Sequence, residues 1–168
     1  MNADCIIVFE GKKIRGEAKA IGYLDSVEVT SWSWGASHSN RGLAPGKAGR
    51  PDIRDFVFSH KIDAATPVLM LYCTQANPIP SATMTMFSQG GRGNPEKYVE
   101  IKFLNVRVTS VELSYTPERL LPEQVVTLSF TQADFSYIPQ TDTGKADTSR
   151  GIPSFNWISE ALNDRGLA

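Results

Sequence analysis

The chain is poor in the residues that most often announce chemistry. It has two cysteines and two histidines in 168 residues, in no arrangement with the spacing of a zinc site. Cys5 and Cys73 are each flanked by apolar residues, the setting of buried free thiols in a reducing compartment rather than of a disulfide scaffold. No apolar run is long enough to span a bilayer, and residues 5–9 are too few for the core of a signal peptide, so any export is expected to proceed without that signal. Charge of one sign is missing as well. The 17 basic and 18 acidic residues leave a net charge of −1, without the basic footprint of a nucleic-acid or anionic-membrane binder, and both are discounted as partners.

Catalytic patterns are equally scarce. His60 lies three residues before Asp63 at a strand end, but no Gly-x-Ser-x-Gly elbow accompanies it, and His38 falls in a polar loop. The Gly90-Gly91-Arg92-Gly93 turn lacks the lysine and helix of a phosphate loop. The expectation is a protein that is not an enzyme, with no catalytic residues, cofactor or metal.

What the chain does have is pattern. With 41% apolar and 21% charged residues in 168, it fits one globular domain with a real core. Residues 55–73, DFVFSHKIDAATPVLMLYC, change hydrophobic period midway. Phe56 and Phe58 alternate with Val57 and Ser59 as in a strand, and then Thr66 and Pro67 supply an N-cap hydroxyl and a first-turn proline for a helix over residues 66–76. Leu69, Tyr72, Cys73 and Ala76 share one face of that helix, while Val68, Met70 and Leu71 make the other faces apolar too. Such a helix is expected to be enclosed on several sides, by its own domain or by a neighbouring subunit.

Elsewhere the pattern reads as strands. In 31–35, SWSWG, the two-residue period puts Trp32 and Trp34 on one face and Ser31 and Ser33 on the other. Residues 37–52 carry Gly and Pro punctuation and little to bury, which predicts a long protruding loop. In 98–115 the buried phase slips near Leu104, as where a bulge or bend curls a sheet. A last strand is predicted over 124–137, followed by a polar arm, 141–168, in which Phe155, Trp157 and Ile158 form the part fit to dock. The expected fold is mainly β: a compact β-barrel of two curled antiparallel sheets, residues 1–140, with one short α-helix and a long protruding loop.

Taken together, SWSWG, the glycine-rich loop, DFVFSHKIDAATPVLMLYC, the GG turn, YVEIKFLNVRVTSV and FSYIPQ, in this order, resemble the haemolysin-coregulated protein (Hcp) family of the bacterial type VI secretion system. The resemblance implies a homohexameric ring, rings stacked into a hollow tube, a spike protein (VgrG) at its tip, a contractile sheath and baseplate around it, and small effectors in its lumen. It also implies a protein that is cytoplasmic before firing and afterwards reaches the extracellular space or a target cell. A tube protein of a related contractile machine, a phage tail or an extracellular injection particle, is the alternative on the same barrel-and-ring logic.

A cyclic ring needs one patch to meet a different patch on the next copy, and stacking needs a second such contact. On this reading Ser31, Ser33 and Gly35 face the lumen, where small polar residues suit a wall past which cargo slides, and Trp32, Trp34, Leu69, Tyr72 and Cys73 fill the core or a subunit boundary. The loop residues Asn40, Arg41, Gly42, Gly46, Lys47 and Gly49 are the expected ring-stacking contact. One departure from the family is plain. The strand before the GG turn, commonly basic there, reads Met86-Phe87-Ser88-Gln89 here, so cargo preference does not carry over.

Overall fold

Alternation fixes most of the strands, and a change of phase fixes where they bend. The computed structural model describes residues 4–159 apart from 12, 21, 39–50, 89–94, 119–120 and 143–144. In chain order the elements are β1 (Cys5–Phe9), β2 (Val27–Glu28), β3 (Ser31–Ser33), β4 (Ala36–His38), β5 (Pro51–Ile53), β6 (Phe56–Lys61), α1 (Ala65–Gln75), β7 (Ile79–Ser88), β8 (Glu96–Ser114), β9 (Glu123–Ser129), β10 (Gln132–Tyr137) and β11 (Ser154–Ile158).

All ladders are antiparallel, and the main path runs β2-β1-β7-β8-β9-β6-β3, with β10 on β8 and β11 on β10. The 19-residue β8 belongs to both halves of this path. Its first half pairs with β7 and β10 and its second half with β9, so the sheet folds into two layers. The path ends at β2 and β3, which are consecutive in the chain. Between them, the Val29 amide donates to Cys5 O at 2.9 Å and the Thr30 amide to Ser59 O at 2.8 Å. The two layers are thus joined at β8 and drawn together at residues 29–30, where no ladder completes the barrel wall. Between them Ile7, Phe56, Phe58, Phe103, Met84, Ile101 and Leu128 form a fully buried core.

The phase slip near Leu104 has a definite cause. Val99, Ile101 and Phe103 point inward, then Val106 and Val108 do, and the residue between the two runs, Asn105, has φ +53°. Asparagine tolerates that left-handed backbone better than a branched residue, and the kink turns β8 from one layer to the other. The strand expected over 124–137 is corrected to two, β9 and β10. At Phe130 and Thr131 the chain passes between layers beside the Asn105 kink, where Asn105 Nδ2 donates to Thr131 Oγ1 at 2.8 Å and the Thr131 amide to Leu104 O at 3.1 Å. Phe130 stays half-buried against Phe103 and Trp34 through the corner, so the apolar alternation runs on across the break.

The helix cap is also corrected. α1 starts at Ala65, and its first turn is capped by Asp63, whose Oδ1 accepts from the Ala65 amide at 2.9 Å; Thr66 Oγ1 reaches back to accept from the Asp63 amide at 3.1 Å. The two residues form a reciprocal box in which Thr66 is the third-position partner rather than the cap, a role its hydroxyl fills from within the helix. At the other end Ala76 adopts φ 52°, and Arg107 Nη1 donates to its carbonyl at 2.6 Å.

Two further segments complete the domain. Residues 14–20 alternate buried Ile14, Gly16, Ala18 and Ala20 with exposed Arg15, Glu17 and Lys19, and fold over the outside of β1 to cover Ile6 with Tyr23 and Phe87. Gly16 is required there, since a Cβ would lie 2.4 Å from Ser26 O. The C-terminal aromatic cluster docks as β11, with Trp157 edge-on to Phe130 at 5.9 Å. The loop expected over 37–52 begins and ends as an exposed two-stranded ribbon, β4 on β5, with His38 opposite Pro51. Its remaining residues, including Asn40, Arg41, Gly42, Gly46, Lys47 and Gly49, lie outside the described residues, as does most of the turn at 90–95.

Candidate functional surfaces

The SWSWG segment divides as its period requires. Trp32 stacks on Phe56 at 5.9 Å, and Trp34 stands edge-on to Phe103 at 5.6 Å and Phe130 at 5.9 Å, so both rings close the inner side of the sheet. Ser31 and Ser33 are exposed on the opposite side, and Gly35 is half-buried at the root of the β4–β5 ribbon. Strand register assigns further residues to the serines' side. Ser31 lies beside Ser59, then Val125, then Glu112; Ser33 lies beside Val57, then Thr127, then Ser110. The middle of this face is a wall of Ser, Thr and Val, and its charges, Lys61, Glu123, Glu112 and Arg107, sit toward its margins. Periodicity within single strands found Ser31 and Ser33 but missed Val57, Ser59, Val125 and Thr127, because only register brings those strands side by side.

A second surface lies on the other side of the molecule's edge. α1 packs against β8 through Leu69, which is fully buried, while Val68, Tyr72 and Cys73 are half-buried on the core. The helix is not enclosed on several sides by its own domain. Met70 is 38% and Leu71 48% exposed, and Ile62, just before the helix, is 43% exposed. Leu121 and Leu113 of the neighbouring β8–β9 hairpin are exposed too, and the Ile62 amide is tied to that hairpin through Pro122 O at 3.1 Å. Leu69, Tyr72 and Cys73, expected in the core or at a subunit boundary, thus lie against the core, while the helix's second apolar face, Met70 and Leu71, is bare in the single chain.

The histidine read as a strand-end residue is fully buried. His60 Nε2 lies 2.6 Å from Gln124 Oε1, Gln124 Nε2 donates to Thr66 O at 3.4 Å, and Asp63 Oδ1 stands 3.5 Å from His60 Nδ1. This polar group ties β6 and β9 to the first turn of α1, and among the described residues no serine or cysteine nucleophile is joined to it. Gln124 is 64 positions away in the chain, which is why sequence spacing missed it. Cys5 is buried with Sγ 3.5 Å from the Met84 sulfur, and Cys73 is free and half-buried. Burial, assisted by the charge of Asp4, pushes the Cys5 thiol up to about 12. Among the described residues no cluster of His, Cys, Asp and Glu is arranged to hold a metal ion, and no helix is long and apolar enough to cross a membrane.

Comparison with known proteins gives a consistent result. Residues 7–137 match the family described as type VI secretion system effector, Hcp. The chain is 33% identical over 146 residues to Protein hcp1 of Pseudomonas aeruginosa, an alignment covering 86% of this chain and 88% of that one. Among solved structures, Hcp1 of Salmonella typhimurium superposes with a TM-score of 0.72 at 25% identity, covering 96% of this chain and 97% of that one. A type VI secretion system effector from Yersinia pestis shares the fold with a TM-score of 0.73 at 24% identity, over 92% of this chain and 99% of that one.

Proposed function

This chain belongs to the Hcp family of the type VI secretion system, a family of structural secretion proteins rather than known enzymes, and from that membership we propose that it is a tube subunit whose six copies close into a ring. The observation that carries the proposal is the bare apolar face of α1, with Met70 and Leu71 exposed on the helix, Ile62 exposed just before it, and Leu113 and Leu121 exposed on the adjoining β8–β9 hairpin. Contiguous apolar surface of this kind marks an interaction site. A ring supplies its cover without self-pairing, since a cyclic contact joins one patch to a different patch on the next copy.

The small, uncharged wall around Ser31 and Ser33 supports the lumenal assignment: Val57, Ser59, Val125 and Thr127 give a surface that offers cargo weak contacts and few charges. Rings then stack through the segment borne on the β4–β5 ribbon, which holds Asn40, Arg41, Gly42, Gly46, Lys47 and Gly49. The tube carries small effectors, is tipped by the spike and driven by the sheath, and leaves the cytoplasm only on firing. Mass measurement in solution combined with negative-stain microscopy tests the ring, with six-fold particles as the expected result. A clean monomer at high protein concentration refutes it.

A further inference from the structure

The serine wall ends in a depression of about 280 Å3 lined by Ser33, Trp34, Gly35, Arg54, Asp55 and Val57. Its backbone is fixed from both sides. The Arg54 amide donates to Gly35 O at 2.9 Å, and Trp34 Nε1 donates to Arg54 O at 2.9 Å, so the arginine's main chain is held between the ribbon root and a ring packed on the core. The guanidinium lies over Gly35, with Nη2 2.7 Å from where a Cβ would stand, so a side chain at position 35 would have to push it aside. Among the described residues the guanidinium has no hydrogen-bond or ion-pair partner, and neither does the Asp55 carboxylate beside it. Ser33 adds a hydroxyl to the same rim.

We propose that this depression is an anchor for acidic polypeptide segments of cargo, with a carboxylate held by Arg54. A guanidinium binds a carboxylate through two parallel N–H donors, and here the arginine's main chain is anchored on both sides while those donors stay unpaired. Asp55 makes the site selective. A bare anion is repelled by it, whereas a carboxylate flanked by peptide N–H groups offers Arg54 an acceptor and Asp55 a donor. Ser33 and Val57 place the anchor at the margin of the wall proposed as lumenal, so assigning the ligand to cargo rests on that reading.

The test uses two dye-labelled, end-blocked peptides, alternating Gly-Glu and alternating Gly-Gln, titrated into the full chain at low and moderate salt. The Glu peptide is expected to bind about tenfold more tightly than the Gln peptide, a preference that falls with salt. R54Q is expected to abolish the preference, R54K to keep part of it, and Gly35→Ala, which displaces the guanidinium while retaining its charge, to weaken it. Equal preference in R54Q and wild type overturns the proposal. If R54Q lowers the particle mass below that of the wild type, Arg54 bonds a neighbouring copy and the cargo assignment is overturned. If the wild type forms no ring, the tube reading fails separately, while the peptide preference still decides whether Arg54 is a carboxylate anchor.

Discussion

Asn105 and Thr131 hold together the two places where the chain changes layer, and replacing Asn105 measures what that corner is worth. Asn105→Ala removes the 2.8 Å bond to Thr131 Oγ1 and puts a residue with no local polar compensation at φ +53°. An exposed hydrogen bond contributes about 0.5–1 kcal/mol net, and holding alanine in the left-handed region costs about 1 kcal/mol. The sum, about 1.5–2 kcal/mol, corresponds to a urea midpoint lowered by roughly 1 M for a chain of this size. Asn105→Gly loses the same bond but is free of the backbone cost, so it should lose only about half as much. Thr131→Val removes the acceptor alone, and the Asn105→Ala, Thr131→Val pair should be less than additive by about 0.5 kcal/mol. Urea unfolding followed by tryptophan fluorescence, at one fixed protein concentration because assembly adds to apparent stability, reads the wild type and all four variants. If alanine and glycine at 105 are equally stable, the left-handed backbone carries no cost and the account of the corner is wrong.

Further outcomes follow from the helix, the wall and the buried thiol. Leu69→Ala, at a fully buried site on α1, should destabilise the fold by about 2–5 kcal/mol in the same unfolding experiment. Met70→Glu with Leu71→Glu changes exposed side chains and should leave the monomer folded by circular dichroism while reducing the particle mass to that of one chain; intact rings would remove α1 from the subunit contact. Ser33→Trp should preserve ring mass and reduce retention of a co-expressed effector, and unchanged retention would count against a lumenal wall. The unfolded Cys5 thiol ionises from about pH 9, whereas the native one keeps its proton to about 12. The native state therefore binds more protons in that window, and stability falls as pH rises through it. Below the window Cys5 contributes no slope, and Cys5→Ala should flatten the loss seen in alkaline denaturation curves.

Much of the fold was legible because its chemistry is local. The alternation in β6, β7 and β9 and the slip in β8 each record which side of a strand meets the core, and Asn105 sits one residue from where the slip was expected. The corner at Phe130 was not legible, because a half-buried aromatic carries the alternation across a break made by tertiary packing. The cap was assigned to Thr66 on residue preference, whereas the carboxylate of Asp63 reaches the free amide first. The outer covering of β1 escaped notice because Gly16, Ala18 and Ala20 are too small to register as hydrophobic. Of the candidate surfaces, the serines and the apolar helix could be read directly, but the valines and threonine beside those serines, and the His60–Gln124 pair, depend on register between distant strands.

The order in which the strands pair has a consequence for the making of the protein. β1 finds its main partner at β7, with Cys5 opposite Met86, and β6, which holds β3, finds its other neighbour at β9, with Phe56 opposite Leu128. β1 can therefore meet only the two-residue β2 early, its five-residue ladder with β7 waits until about half the chain is made, and the second layer waits longer. Until then Ile7 and Phe9 lack the β7 and β8 side chains that share their core in the finished fold. Synthesis thus proceeds with an apolar strand short of its main partner, a state that favours slow folding and early shelter by a holding chaperone over rapid independent collapse.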